Sequence, residues 1–285
     1  MTEAYIYDAA RTPRGKGRPD GSLHEVTSVA LSARLLNAVK ERNGLEGHAV
    51  EDVIWGNVTQ VKEQGGCLAR SAVLESDLDE SIPGLAINRF CASGMEAVNL
   101  AANQVKGGAG QAYIAGGVEM MGRVAMGSDG AAIAVDPSLT FKTYFVPQGI
   151  SADIIATEYG FSREQADALA VESQRRAGIA WQENRFAKSI VPVLDQNGRA
   201  GKAAALFLDL GDIAPDDILD RVAYQTVAFL DRVQKPGRQR DRGDFVQAAI
   251  GAALAARRAG GVIDIGFGHV SSFAARSEGL PGIRS

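Results

Sequence analysis

The eight residues Asn88-Arg89-Phe90-Cys91-Ala92-Ser93-Gly94-Met95 place a cysteine where a short apolar run, Gly84 to Ile87, gives way to a helical pattern from about Ala92 to Lys106. A cysteine in the first turn of a helix meets unpaired amide N–H groups and the positive end of the helix dipole, both of which stabilise a thiolate. A free thiol has a pKa of about 8.5, and such surroundings lower it enough to make the sulfur a nucleophile at neutral pH. Gly94 removes side-chain bulk beside the sulfur and leaves room for a thioester carbonyl. The chemistry predicted is covalent acyl transfer through Cys91. The competing reading is a buried cysteine that packs as a small hydrophobe.

The elements that must position this cysteine follow from periodicity. Tyr5 to Ala10 reads as a buried strand, Val26 to Arg42 as an amphipathic helix, Val53 to Val58 as a strand, and Cys67 to Glu75 as a short packing helix. The strand at Gly84 to Ile87, the Cys91 helix and a strand at Gln111 to Ala115 come next. Alternation of strands and helices predicts an α/β sheet covered on its faces, with the cysteine at a strand-to-helix turn where open sheets place their chemistry. Gly116-Gly117 reads by itself as a plain turn, and no Gly-x-Gly-x-x-Gly follows any strand, which argues against a Rossmann cofactor site. Residues 121 to 160, rich in Gly, Ser and Pro, read as a mostly irregular excursion with a function of its own. Ser162 with Gln165 has capping-box spacing, and Ala166, Leu169, Ala170, Ala177 and Trp181 then form a stripe read as packing.

Composition narrows the remaining classes. The 285 residues are 46% hydrophobic, enough for one or two domains with a sizeable core. A net charge of −4 argues against a general nucleic-acid binder. Two cysteines, Cys67 and Cys91, make no disulfide framework and point to a reducing, cytoplasmic setting. No run approaches 18 apolar residues and the N-terminus lacks an apolar leader, so no membrane association is expected. His24, His48 and His269 share no ligand spacing with the cysteines, and no metal is assigned.

Asn-x-x-Cys-x-Ser-Gly, followed some two dozen residues later by Ala115-Gly116-Gly117-Val118-Glu119-Met120-Met121, resembles the thiolase family. The resemblance begins at Tyr5-Ile6-Tyr7-Asp8-Ala9-Ala10-Arg11-Thr12-Pro13 and continues through Val53-Ile54-Trp55-Gly56-Asn57-Val58-Thr59-Gln60 and Ala69-Arg70. Asn184-Arg185-Phe186 and Ile190-Val191-Pro192-Val193 are similar to the end of the family's loop domain. The resemblance implies a thiolase-like N-terminal α/β domain over 1–120, a mixed sheet covered by helices. It also implies an inserted loop domain on the coenzyme A side over 121–198. Val146-Pro147-Gln148-Gly149 aligns with a family segment facing the pantetheine tunnel, which makes Gln148 a candidate coenzyme A contact. The implied activity is an acyl-CoA acyltransferase, 3-ketoacyl-CoA thiolysis or the reverse Claisen condensation through an acyl-cysteine. Coenzyme A and acyl-CoA would be substrates and no cofactor is expected. The resemblance further implies a homo-oligomer or a partner thiolase chain.

Beyond Gly198 the chain changes character. Residues 199–285 hold ten Arg against two Lys, and no Asn, Met, Cys or Trp. Arg238-Gln239-Arg240-Asp241-Arg242-Gly243-Asp244 reads as a solvated or disordered segment rather than a partner site. The family's second half carries an Asn-Glu-Ala-Phe segment, a Gly-His-Pro histidine and a Cys-x-Gly-Gly cysteine, none of which occurs here; Gly268-His269-Val270-Ser271 lacks the proline and is not assigned. The expectation is a C-terminal thiolase half missing, through truncation or a frame-shift, or replaced in a natural variant. The alternative function is then a non-catalytic remnant that binds acyl-CoA or a partner thiolase subunit.

Overall fold

The computed structural model describes residues 3–45, 50–194 and 271–276. They fall into two compact units, one within 3–129 with 186–194 and 271–276, the other within 130–185.

The first unit is a five-stranded mixed sheet with helices on both faces, the α/β architecture expected of a thiolase N-terminal domain. Its strands are β1 (Tyr5–Arg11), β2 (Asp52–Gly56), β3 (Gly84–Ile87), β4 (Ala112–Gly117) and β5 (Ser271–Arg276), in the order β1-β5-β4-β2-β3. β2, β3 and β4 are parallel, whereas β5 runs antiparallel to both of its neighbours. Side chains alternate across each strand, and the two cores sort accordingly. Val53 and Trp55 of β2 and Ile114 of β4 join Leu31, Leu35, Leu36 and Val39 of helix α1 (Ser28–Asn43) and Leu68, Ala72 and Val73 of helix α2 (Leu68–Glu75). Ile54 of β2 and Tyr113 and Ala115 of β4 face the other way, against Ala97, Ala101 and Val105 of helix α3 (Ser93–Gly107).

Local signals set the helix ends. Thr27 caps α1 by accepting from Ala30 N, and Gly44, left-handed at φ 57°, ends it. Trp55, fully buried, donates from Nε1 to Ser32 Oγ at 3.0 Å, which satisfies its one polar atom inside the core. A carboxylate staple closes the loop before α1. Glu63 Oε1 accepts from Ser28 N and Oγ, while Arg123 Nε donates to both Glu63 oxygens at 2.8 and 2.9 Å. Burial pushes the Glu63 carboxyl up, but the Arg123 and Ser28 hydrogen bonds outweigh it and hold the group below its ordinary range.

β5 is a finding that periodicity did not supply. Ser-Ser-Phe-Ala-Ala-Arg has neither alternation nor β-branched residues, yet its backbone fills the gap between β1 and β4. The expected span of the Cys67 helix also changes: Cys67 is exposed and left-handed at φ 62°, standing ahead of α2 rather than within a packing helix.

The second unit corrects the irregular excursion. Residues 132–159 form three helices: α4 (Ala132–Val135), α5 (Pro137–Thr143) and α6 (Gln148–Tyr159). The Pro and Gly that read as loop residues are helix boundaries. Pro137 opens α5 behind an Asp136 cap that accepts from Ser138 N at 2.9 Å, and Gly160 at φ 70° ends α6. Helix α7 (Arg163–Gln182) starts with the expected capping box between Ser162 and Gln165. Its apolar stripe does not pack as expected, since no residue of α7 is buried among the described residues and Leu169 is 73% exposed. Ion pairs along the helix, Arg163 with Asp167 and Glu172 with Arg175 and Arg176, suit that solvated state. Hydrogen bonds from the two arginines hold the Glu172 carboxyl down at about 2. The segment Arg238 to Asp244 and His269 lie outside the described residues.

Candidate active site

Cys91 stands on the turn between β3 and α3, at the C-terminal edge of the parallel strands. It is exposed, which removes the buried structural reading. It also lies ahead of the helix rather than in its first turn, with Ala92 as the N-cap and Ser93 as the first helical residue. Among the described residues, the backbone N–H groups of Gly94 and Met95 donate to no backbone carbonyl, so the α3 N-terminus keeps free donors beside this turn.

The turn itself is strained. Phe90, the residue before the cysteine, has φ 48°, a left-handed conformation that costs a non-glycine residue about 1–3 kcal/mol. Four hydrogen bonds hold it. Asn88 Oδ1 accepts from Phe90 N at 2.8 Å, Ser93 Oγ donates to Phe90 O at 2.6 Å and accepts from Arg89 N at 2.8 Å, and Ser93 N donates to Phe90 O at 3.0 Å. Ser93 is 4% exposed, so its hydroxyl works inside the turn rather than toward a substrate. Arg89 pairs with Glu96 on the first turn of α3 at 3.0 Å.

Glycines bring the turn onto the sheet. A Cβ on Gly56, the last residue of β2, would lie 2.5 Å from Ser93 C and 2.8 Å from Gly94 N; one on Gly117 would lie 2.4 Å from Gly56 O. Only bare backbone at the ends of β2 and β4 lets α3 start where it does. Gly94 has open space around it, with Gly116 O the one atom within reach of a Cβ, at 4.0 Å.

Behind the turn lies a polar cluster that motif reading left unused. Glu119 Oε2 accepts from Val58 N at 2.8 Å, and its Oε1 accepts from Thr59 N at 3.3 Å and from Gln64 Nε2 at 2.9 Å. Gln64, 1% exposed, returns Oε1 to Met120 N at 2.8 Å. Asn88 Nδ2 donates to Val58 O at 3.0 Å and so joins this cluster to the Cys91 turn. A Glu two residues after a Gly-Gly strand end, with a Gln that has to be buried, was the available sequence signal.

The other candidates sit apart in chain terms. Gln148 is the exposed first residue of α6 and belongs to the second unit, whereas Cys91 belongs to the first. Cys67 donates its S–H to Gly84 O at 3.2 Å. Among the described residues no cluster of His, Cys, Asp and Glu could hold a metal, and no helix is long and apolar enough to cross a membrane.

An exposed cysteine on a strained strand-to-helix turn, beside free backbone amides at the start of a helix, has groups of the kind that nucleophilic acyl transfer uses. A sequence model of the thiolase N-terminal domain matches residues 4–223. The 3-ketoacyl-CoA thiolase of Acinetobacter baylyi is 35% identical over 215 residues, 75% of this chain and 54% of that protein. The enzyme of that name from a Shewanella species is 39% identical over 203 residues, 70% of this chain and 51% of the relative. An Escherichia coli 3-ketoacyl-CoA thiolase is 38% identical over 193 residues, 67% and 49%. The chain belongs to the thiolase family. It spans about half the length of the curated relatives it matches.

Proposed function

We propose that the chain acts as the nucleophile-bearing part of a thiolase-type acyl-CoA acyltransferase. The observation that carries this is the exposed Cys91 on the left-handed turn ahead of α3. In the first step the Cys91 thiolate adds to the thioester carbonyl, the carbon–sulfur bond to coenzyme A breaks, and coenzyme A leaves as a thiolate that takes up a proton. The free Gly94 and Met95 amides suit the oxyanion of that addition. Gln148 is proposed as a coenzyme A contact, no cofactor is required, and assembly with a second copy or a partner thiolase chain is proposed for a cytoplasmic protein.

The second step needs a base at the α-carbon of another acyl-CoA. The sequence contains no Gly-His-Pro and no Cys-x-Gly-Gly, and its other cysteine, Cys67, stands ahead of α2. That observation favours a second reading, in which this chain alone binds acyl-CoA and accepts an acyl group without completing the cycle. Acetoacetyl-CoA cleavage, followed by loss of enolate absorbance on adding coenzyme A, separates the two. The purified chain is expected to stay well below about one turnover per second, the lower end of ordinary enzymatic rates. Faster cleavage that disappears in Cys91→Ser would show that this chain completes the cycle unaided.

A further inference from the structure

We propose that Glu119 is a positioning residue for Cys91, acting through Val58 and Asn88. This rests on Cys91 being the nucleophile. The left-handed Phe90 that presents Cys91 is held by Asn88 Oδ1, and the same Asn88 amide is anchored on Val58 O. Val58 follows the end of β2, where its peptide has no strand partner of its own; Glu119 takes its N–H, and that of Thr59, into one carboxylate. Gln64, buried behind it, fills the remaining face of Oε1 and ties it to Met120 N. The carboxylate therefore spans three strand ends: its own residue follows β4, its acceptors face the segment after β2, and Asn88 carries the constraint to the segment after β3.

Every donor facing Glu119 is an N–H, so the site needs acceptors on both oxygens. A glutamine there would turn an NH2 toward one of those donors. Asn88→Asp breaks the chain at a different link: it keeps an oxygen for Phe90 N and puts a second oxygen against Val58 O, where a donor is needed. Asn88 is exposed, so this substitution leaves the core untouched.

The test uses the full chain and the rate of iodoacetamide alkylation at Cys91 across pH, measured by peptide mapping, with Cys67 and the thermal melt as references. Iodoacetamide reads the thiol alone, so a failure of acyl-CoA to acylate Cys91 would leave this test standing. Both Glu119→Gln and Asn88→Asp should slow Cys91 about tenfold, as a displacement near 1 Å can do, and alter its pH–rate profile. Cys67 should change far less. The double variant should be no slower than the slower single one, because both act along one path. If Cys91 keeps its parental rate in folded Asn88→Asp, or if both cysteines shift together in Glu119→Gln, Glu119 only supports the fold and the proposal is overturned.

Discussion

Ala274→Pro should lower the Tm by about 6–12 °C, the largest loss expected from any single change in the sheet. Ala274 pairs with Asp8 on one side and Ile114 on the other, so its strand has no free edge to which a missing N–H could be turned. Proline removes a ladder hydrogen bond and its ring crowds the neighbouring strand, which is why it is confined to sheet edges. β1 meets the rest of the sheet through β5, so disturbing β5 also loosens β1. A cost of about 3 kcal/mol and 2–4 °C per kcal/mol at this chain length give the expected shift. Differential scanning calorimetry measures it directly. A melt within a degree of the parent would mean that residues 271–276 are not part of the sheet.

Gly56→Ala should cost about 2–3 kcal/mol and slow Cys91 alkylation with it, although it adds a single methyl group. That methyl would meet Ser93 C at 2.5 Å, Ser93 O at 2.6 Å and Gly94 N at 2.8 Å, all backbone atoms. No rotamer change can relieve the contact, so α3 must move off β2 and carry the Cys91 turn with it. Gly56 also accepts from Val118 N at 3.0 Å, and the displacement reaches β4. Urea unfolding gives the stability term, and labelling of Cys91 against Cys67 gives the site term. An unchanged midpoint with unchanged labelling would place the start of α3 elsewhere.

The parts of the fold that were legible in the sequence are those specified by local pattern. β3 falls at Gly84–Ile87 as read, and the capping box at Ser162 forms from two side chains three residues apart. Trp55 and Ile54 alternate across β2 as an apolar strand requires. Non-local structure was not legible. β5 is a strand because a gap between β1 and β4 needs one, more than 150 residues after β4 in the chain, and Ser271 to Arg276 carries no period of its own. The helices between 132 and 159 were hidden because each is short and bounded by the Pro and Gly that also mark loops.

The site was legible in its chemistry and not in its support. Asn-x-x-Cys-x-Ser-Gly picked out an exposed cysteine on the turn ahead of α3, and a Cβ on its glycine would meet nothing closer than Gly116 O at 4.0 Å. The serine of that motif turned out to brace Phe90, and the asparagine to link two loops. Hydrogen bonds of that kind depend on where strand ends meet, which residue spacing alone does not encode.

The central claim is that Cys91 accepts an acyl group from a coenzyme A thioester. Mass spectrometry of the purified chain after incubation with acetyl-CoA tests it most directly. One acetyl group is expected per chain, mapping to the peptide that contains Cys91, released by hydroxylamine and absent in Cys91→Ser. An acetyl group found on Cys67 instead, or no adduct on a folded chain whose Cys91 still reacts with iodoacetamide, would contradict the account.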